Sequence, residues 1–402
     1  MLISFCALFT GACHYRILPY GVVDPVAVER VLDAVAHIRQ LTATRPIRVE
    51  TLAAADLQRE VDADLARDIA SGTVARQRKA WVRMGLLDAS VDLAAAYRRQ
   101  YSDAPGGYYD RGALKLIVRE SLRSEVTEVV GALRGRDPLY GEGIAHELAH
   151  ALADQHFDID KLVDNAPDED ARAARRALIE GDASKVGWAY GGILGGSDFG
   201  GYIDFIERRL PAINEDDPTP LYLRETFQFP YVYGARFVER VWKRGGWAHV
   251  DAAFSRPPAS TEQILHPDKF LDDTDPPIAI APSSCAPSTG WSRIWSAPLG
   301  ELGVWIWLTR LTGDGQLARA AAAGWGGDRA EVFERGEETA LLIRSTWDTV
   351  DDARELEAAI ARVPTTMTGV RLVERREARV LMVTGAADLG SLLACGWRSL
   401  DR

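Results

Sequence analysis

His146, Glu147 and His150, in the run His-Glu-Leu-Ala-His, set two imidazoles four residues apart with a carboxylate between them. On a helix, positions i and i+4 lie on one face, one above the other. Both rings can therefore reach a single Zn²⁺, while Glu147 flanks the position left open. A metal held in this way acidifies a water, and the adjacent carboxylate takes the proton. The flanking residues suit a helix: Ile144, Leu148 and Leu152 are apolar, and neither Pro nor Gly occurs over 144–160.

A catalytic zinc needs three protein ligands and an open position. Two residues compete for the third place. His156 follows His150 by six residues, a spacing used by zinc sites in which a glycine breaks the helix between them. Here that place is held by Ala153, which favours helix and resists a positive φ. The methionine turn that accompanies such sites is also missing, because the only methionines after the motif are Met367 and Met382. Glu180, thirty residues beyond His150 and on the next expected helix, is the preferred ligand. Ala177 and Ala183 flank it and let two helices come close. Asp182 is a candidate acceptor for the second ring N–H of a ligand histidine. For the oxyanion of a tetrahedral intermediate the candidate donor is His266, with Tyr231 and Tyr233 as weaker choices.

Several elements must position these groups. Asp24-Pro25 opens a helix, with Val28, Val31, Leu32, Val35 and Ile38 at helical spacing. Residues 46–50 suit a short strand, and Thr51 caps a further helix. Alternating Leu114, Leu116 and Val118 predict a strand over 113–119, either an ordinary sheet strand or an edge on which an extended substrate pairs. After the His-Glu-Leu-Ala-His helix, further helices are expected at about 170–190, 202–210, 221–243 and 247–254. A short capped turn at 261–265 is stopped by Pro267. Residues 272–298 are Pro-rich and read as a linker or an extended wrap. Beyond them, helices at 299–322 and 348–361 alternate with hairpins at 330–345 and 370–384. The expected fold class is α+β: a mainly helical zincin-type catalytic domain with a small antiparallel sheet, plus a C-terminal α+β domain. The expected division is 1–20 (signal-like), 21–104 (N-terminal helices), 105–271 (catalytic), 272–298 (linker) and 299–402 (C-terminal).

A net charge of −11 spread along the chain argues against nucleic acid as a partner. No apolar run reaches the ~20 residues of a membrane span. The first thirteen residues are apolar and end in small residues before Cys13, like the signal and lipid-attachment box of an exported lipoprotein. An extracytoplasmic protein, tied to a membrane only through lipid at Cys13, is therefore expected. Of the four cysteines, Cys285 and Cys395 would then remain, either joined in a disulfide or as two separate buried thiols.

The His-Glu-Leu-Ala-His helix with its continuation to Asp160, the Glu180-Gly181-Asp182-Ala183 stretch, residues 257–267 and the run from Ala321 to Ile360 resemble a group of bacterial and archaeal zinc metallopeptidases. These are commonly exported, and the likeness covers most of 105–365. By similarity to gluzincins, it implies zinc on His146, His150 and Glu180, with Glu147 as general base acting on a peptide or protein substrate. The Glu-Gly-Asp-Ala stretch departs from the usual gluzincin glutamate motifs. Two other readings stand beside this one: a binding protein on a retired zincin scaffold, and a zinc hydrolase of a non-peptide amide.

Overall fold

Asp24 does cap the first helix: its Oδ1 accepts from the Val26 N–H at 2.9 Å, and Pro25 takes the first helical position. In a computed structural model the described residues are 16–18, 22–52, 54–102, 107–110, 115–119, 141–191, 198–213, 217–272, 275–285, 291–364, 370–385 and 389–400. The signal-like stretch through Cys13 lies outside them, as does Leu114. Ile17 and Leu18 are described, and both are buried against the first core.

In chain order the N-terminal elements are α1 (Pro25–Arg39), β1 (Arg48–Leu52), α2 (Ala54–Ala70), α3 (Thr73–Met84), α4 (Leu93–Ser102), β2 (Gly107–Asp110) and β3 (Lys115–Arg119). There follow α5 (Gly141–Phe157), α6 (Ile159–Asp164), α7 (Glu169–Gly191), α8 (Phe199–Ile213), α9 (Leu221–Ser255), α10 (Thr261–Leu265) and α11 (Pro267–Leu271). The C-terminal part holds β4 (Ser292–Ala297), α12 (Gly300–Thr312), α13 (Gly315–Ala322), β5 (Trp325–Arg335), β6 (Glu338–Trp347), α14 (Val350–Ala361), β7 (Val370–Arg376), β8 (Arg379–Gly385) and α15 (Leu389–Leu400). The fold is α+β, and among the described residues no helix is long and apolar enough to cross a membrane.

Three strands form the first sheet in the order β1-β3-β2. It is mixed rather than antiparallel as expected, because β1 runs parallel to β3 and only β2 is antiparallel. β3 is thus the central strand, and β2 is the outer one that borders α5. The second sheet, β4-β5-β6-β8-β7, is antiparallel throughout. It already begins at Ser292, inside the stretch that reads as a linker.

Helix α5 lies in a core with α1, α7 and α9: Val31 and Val35, Leu148 and Leu152, Leu178, and Phe237 are all buried there. Burying each large apolar side chain of this kind contributes ~1.5–3 kcal/mol. α1 is therefore built into the body that carries the histidines. α3 and α4 instead join α12, α13 and one face of the second sheet in another core, with Trp81, Met84 and Trp307 at its centre. The opposite face of that sheet, with Leu342, Leu381 and Val383, is covered by α15. Because both faces are covered, β6 and β8 are apolar at successive positions (340–343 and 380–383) rather than alternating. A disulfide joins Cys285 to Cys395 and fixes α15 to the segment before β4.

One expected helix divides, and another pair keeps its expected break. The helix expected over 299–322 is split at Gly313, which takes the left-handed conformation (φ 72°), and Asp314 caps the next helix. The two helices expected at 221–243 and 247–254 both form within α9, separated where Gly245 and Gly246 leave helical geometry.

Candidate metal centre

α5 and α7 approach closely because α7 carries glycine where they meet. A Cβ on Gly187 would lie 3.3 Å from the His146 Cβ, and one on Gly191 would lie 2.8 Å from the Glu142 side chain. Glu180 precedes these glycines by seven and eleven residues, which puts all three on one face of α7. On its other side α7 crosses α9 through Gly181 and Gly234. A Cβ on Gly181 would lie 2.1 Å from the Gly234 carbonyl oxygen, and one on Gly234 would lie 2.1 Å from that of Ala177.

The result is a triangle of donors. His150 Nε2 lies 3.0 Å from His146 Nε2, and Glu180 Oε2 lies 3.2 Å from His146 Nε2 and 3.3 Å from His150 Nε2. Zinc bonds of about 2.0–2.1 Å at tetrahedral angles put ligand atoms about 3.3 Å apart. Edges of 3.0–3.3 Å therefore fit one tetrahedral ion with its fourth position open. The donor chemistry, two imidazoles and a carboxylate, also suits zinc. Burial raises the Glu180 carboxyl, but the facing His150 and His146 imidazoles outweigh it and hold the group below the usual carboxylate range. Glu180 thus presents an ionised oxygen. Glu147 follows His146 directly on α5 and is partly buried.

His156 is not in this set. α5 continues unbroken through Ala153 to Phe157, and six residues turn His156 well away from the His146–His150 face. Its Nε2 lies 2.8 Å from the Thr42 carbonyl oxygen.

The oxyanion-donor candidates separate as well. His266 Nε2 pairs with Glu301 Oε1 at 2.9 Å and is not drawn to within ligand distance of the triangle. Its segment is tethered to the start of α7, where Thr261 Oγ1 donates to Asp170 Oδ1 at 2.6 Å. Asp170 is ten residues, or about 15 Å along a helix, from Glu180. Tyr233 faces the C-terminal part, bonded to Arg319 and edge-on to Trp305. Tyr231 is the one at the centre. Its ring stacks on His146, with centroids 6.4 Å apart at 28°. Burial, then the charges of Glu180 and Glu147, raise its phenol above the ordinary value, so the proton is retained. The residue as a whole is 42% exposed.

Asp182 is buried, and its Oδ1 lies 2.7 Å from Arg39 Nε at the end of α1. The guanidinium also reaches Asp251 at 2.7 Å and lies over the Trp247 ring. Nothing in the sequence pattern marks Arg39, since its spacing belongs to the buried stripe of an ordinary amphipathic helix. His150 is among the charges that act on Asp182. A second acidic group, Glu262, Asp275 and Asp348, converges on the ammonium of Lys269, with Glu262 and Asp348 both at 2.7 Å. An internal cation therefore already satisfies it.

Residues 292–390 match a family described as a domain of unknown function (DUF8575). That stretch runs from β4 to the start of α15 and excludes the donor triangle. No curated protein and no solved structure matches the chain.

Proposed function

We propose that this protein is a zinc-dependent hydrolase of peptide bonds, with His146, His150 and Glu180 as ligands. The observation that carries the reading is the donor triangle, with edges of 3.0–3.3 Å, next to a carboxylate at Glu147. Zinc in that set supplies acidification of a water and polarisation of the scissile carbonyl. Glu147 takes the proton of the attacking water and returns it to the departing amine nitrogen. The Tyr231 hydroxyl, kept protonated, donates to the oxygen that becomes negative as the carbonyl turns tetrahedral. This assigns to Tyr231 the role that sequence spacing suggested for His266. Among the described residues β2 is an outer strand of the first sheet and borders α5, the place where an extended peptide would pair through main-chain hydrogen bonds. The Cys285–Cys395 bond favours an oxidising, extracytoplasmic compartment.

The test is Glu147→Gln. It keeps the shape of the site, so the variant should bind about one zinc per chain while hydrolysis of an unfolded protein falls at least ~10²-fold. Hydrolysis at the wild-type rate would remove Glu147 from the reaction and overturn the proposal.

A further inference from the structure

Helix α9 carries four aromatic residues over two turns, and they divide by face. Phe229 is buried, and Tyr233 stacks on it at 5.6 Å. Phe227 and Tyr231, an i, i+4 pair, point the other way and remain 41% and 42% exposed. Their ring centroids are 5.8 Å apart at 50°. Single exposed apolar residues are ordinary on a protein surface. Two large rings in mutual contact, one of them lying on a metal-ligand histidine, form a patch continuous with the reactive centre.

We propose that Phe227 and Tyr231 form a subsite for a large apolar side chain of the substrate, aromatic or leucine-sized, close to the scissile bond. This rests on the hydrolase reading above and names its substrate class. The ring contacts set the reach: Phe227 to Tyr231 is 5.8 Å and Tyr231 to His146 is 6.4 Å, so the Phe227 ring lies at most about 12 Å from the His146 ring. An extended peptide advances ~3.3 Å per residue. The side chain resting on Phe227 therefore belongs to a residue within three or four positions of the bond that is cut. Aromatic faces meet an apolar partner edge-on or offset, and the 50° tilt between the two rings leaves both an edge and a face open. A charged side chain placed against these two rings would lose its hydration without gaining a partner.

The experiment uses the zinc-loaded full chain, with Phe227→Ala and Phe227→Leu beside the wild type. Each digests reduced, unfolded insulin B chain, the cuts are mapped by mass spectrometry, and kcat/KM is measured on matched peptides carrying Phe, Ala or Asp at the preferred position. The wild type should favour Phe over Ala by about tenfold and rank Asp lowest. Phe227→Ala should bring the Phe:Ala ratio to within about twofold, and Phe227→Leu should fall between, with zinc content and melting temperature unchanged in both. A wild type that cuts without preference, or a Phe:Ala ratio that survives Phe227→Ala, overturns the subsite and leaves the hydrolase reading standing. A wild type that binds no zinc and cuts no peptide overturns both.

Discussion

Gly181→Ala adds one methyl group at the crossing of α7 and α9, one residue after the proposed carboxylate ligand. Built in place, that carbon would lie 2.1 Å from the Gly234 oxygen, 2.4 Å from its carbonyl carbon and 2.9 Å from the Ala235 nitrogen. All three are main-chain atoms of one long helix, so no side chain can turn aside. Ordinary contact requires the helices to separate by roughly 1 Å. Overpacking of this kind costs about 1–3 kcal/mol, and a rigid obstacle belongs at the upper end. Alanine returns ~1 kcal/mol through its better helix propensity, which leaves a net loss of about 2 kcal/mol. The displacement also moves Glu180, whereas zinc ligands tolerate only about 0.2 Å, so zinc affinity should fall ~10–100-fold. Gly143→Ala is the control. It makes the same chemical change on α5 where nothing lies within 4 Å, and should be neutral or stabilising by up to ~1 kcal/mol. Urea unfolding of the zinc-free proteins gives the stability term, and competitive zinc titration gives the affinity term. If Gly181→Ala matches Gly143→Ala in both, α7 and α9 do not cross here, and the reason given for Glu180's position is wrong.

Three further outcomes follow. Tyr231→Phe should lower kcat ~10²–10³-fold with KM and zinc content little changed, as expected for a donor used only in the transition state; equal loss in His266→Ala, with none in Tyr231→Phe, would return the role to His266. Replacing Cys285 and Cys395 by serine should cost about 2–4 kcal/mol of stability in urea, and an unchanged unfolding midpoint would contradict the bond. Asp170, pushed up by burial to about 7 from an ordinary value of 3.8, binds its proton more tightly folded than unfolded. Stability should accordingly fall as pH rises from about 4 to 7, by up to about 1.4 kcal/mol per pH unit for that proton. Asp170→Asn should reduce the loss between unfolding curves at pH 5 and pH 8, the remainder belonging to Asp328 and Glu262, which burial also raises, and an unchanged slope would refute the assignment.

The candidate site was legible in the sequence where it depended on spacing along one helix. His146 and His150 face the same way because four residues make nearly one turn. Ala153 signalled correctly that α5 does not break to bring His156 round. Glu180 was readable as a candidate because small residues surround it, although the glycines that bring its helix against α5, 187 and 191, were not singled out. What depended on the phase of a buried helix was not legible. Tyr231 and Tyr233 are two residues apart and face His146 and the C-terminal part respectively, yet α9 is apolar on more than one face and its pattern does not say which side turns where. Long-range pairing was hidden for the same reason. The parallel register of β1 on β3 joins residues more than sixty positions apart, and Arg39 meets Asp182 across still more of the chain. The strand at 292–297 was not readable because it follows a Pro-rich wrap and its burial does not alternate.

The proposed hydrolysis requires one zinc ion among His146, His150 and Glu180. Anomalous diffraction on either side of the zinc absorption edge, from crystals grown with one equivalent of zinc, tests it directly. A single strong peak is expected about 2.0–2.2 Å from the two Nε2 atoms and a Glu180 carboxylate oxygen. A peak liganded by His156, a peak among Glu262, Asp275 and Asp348, or no peak at all would contradict it.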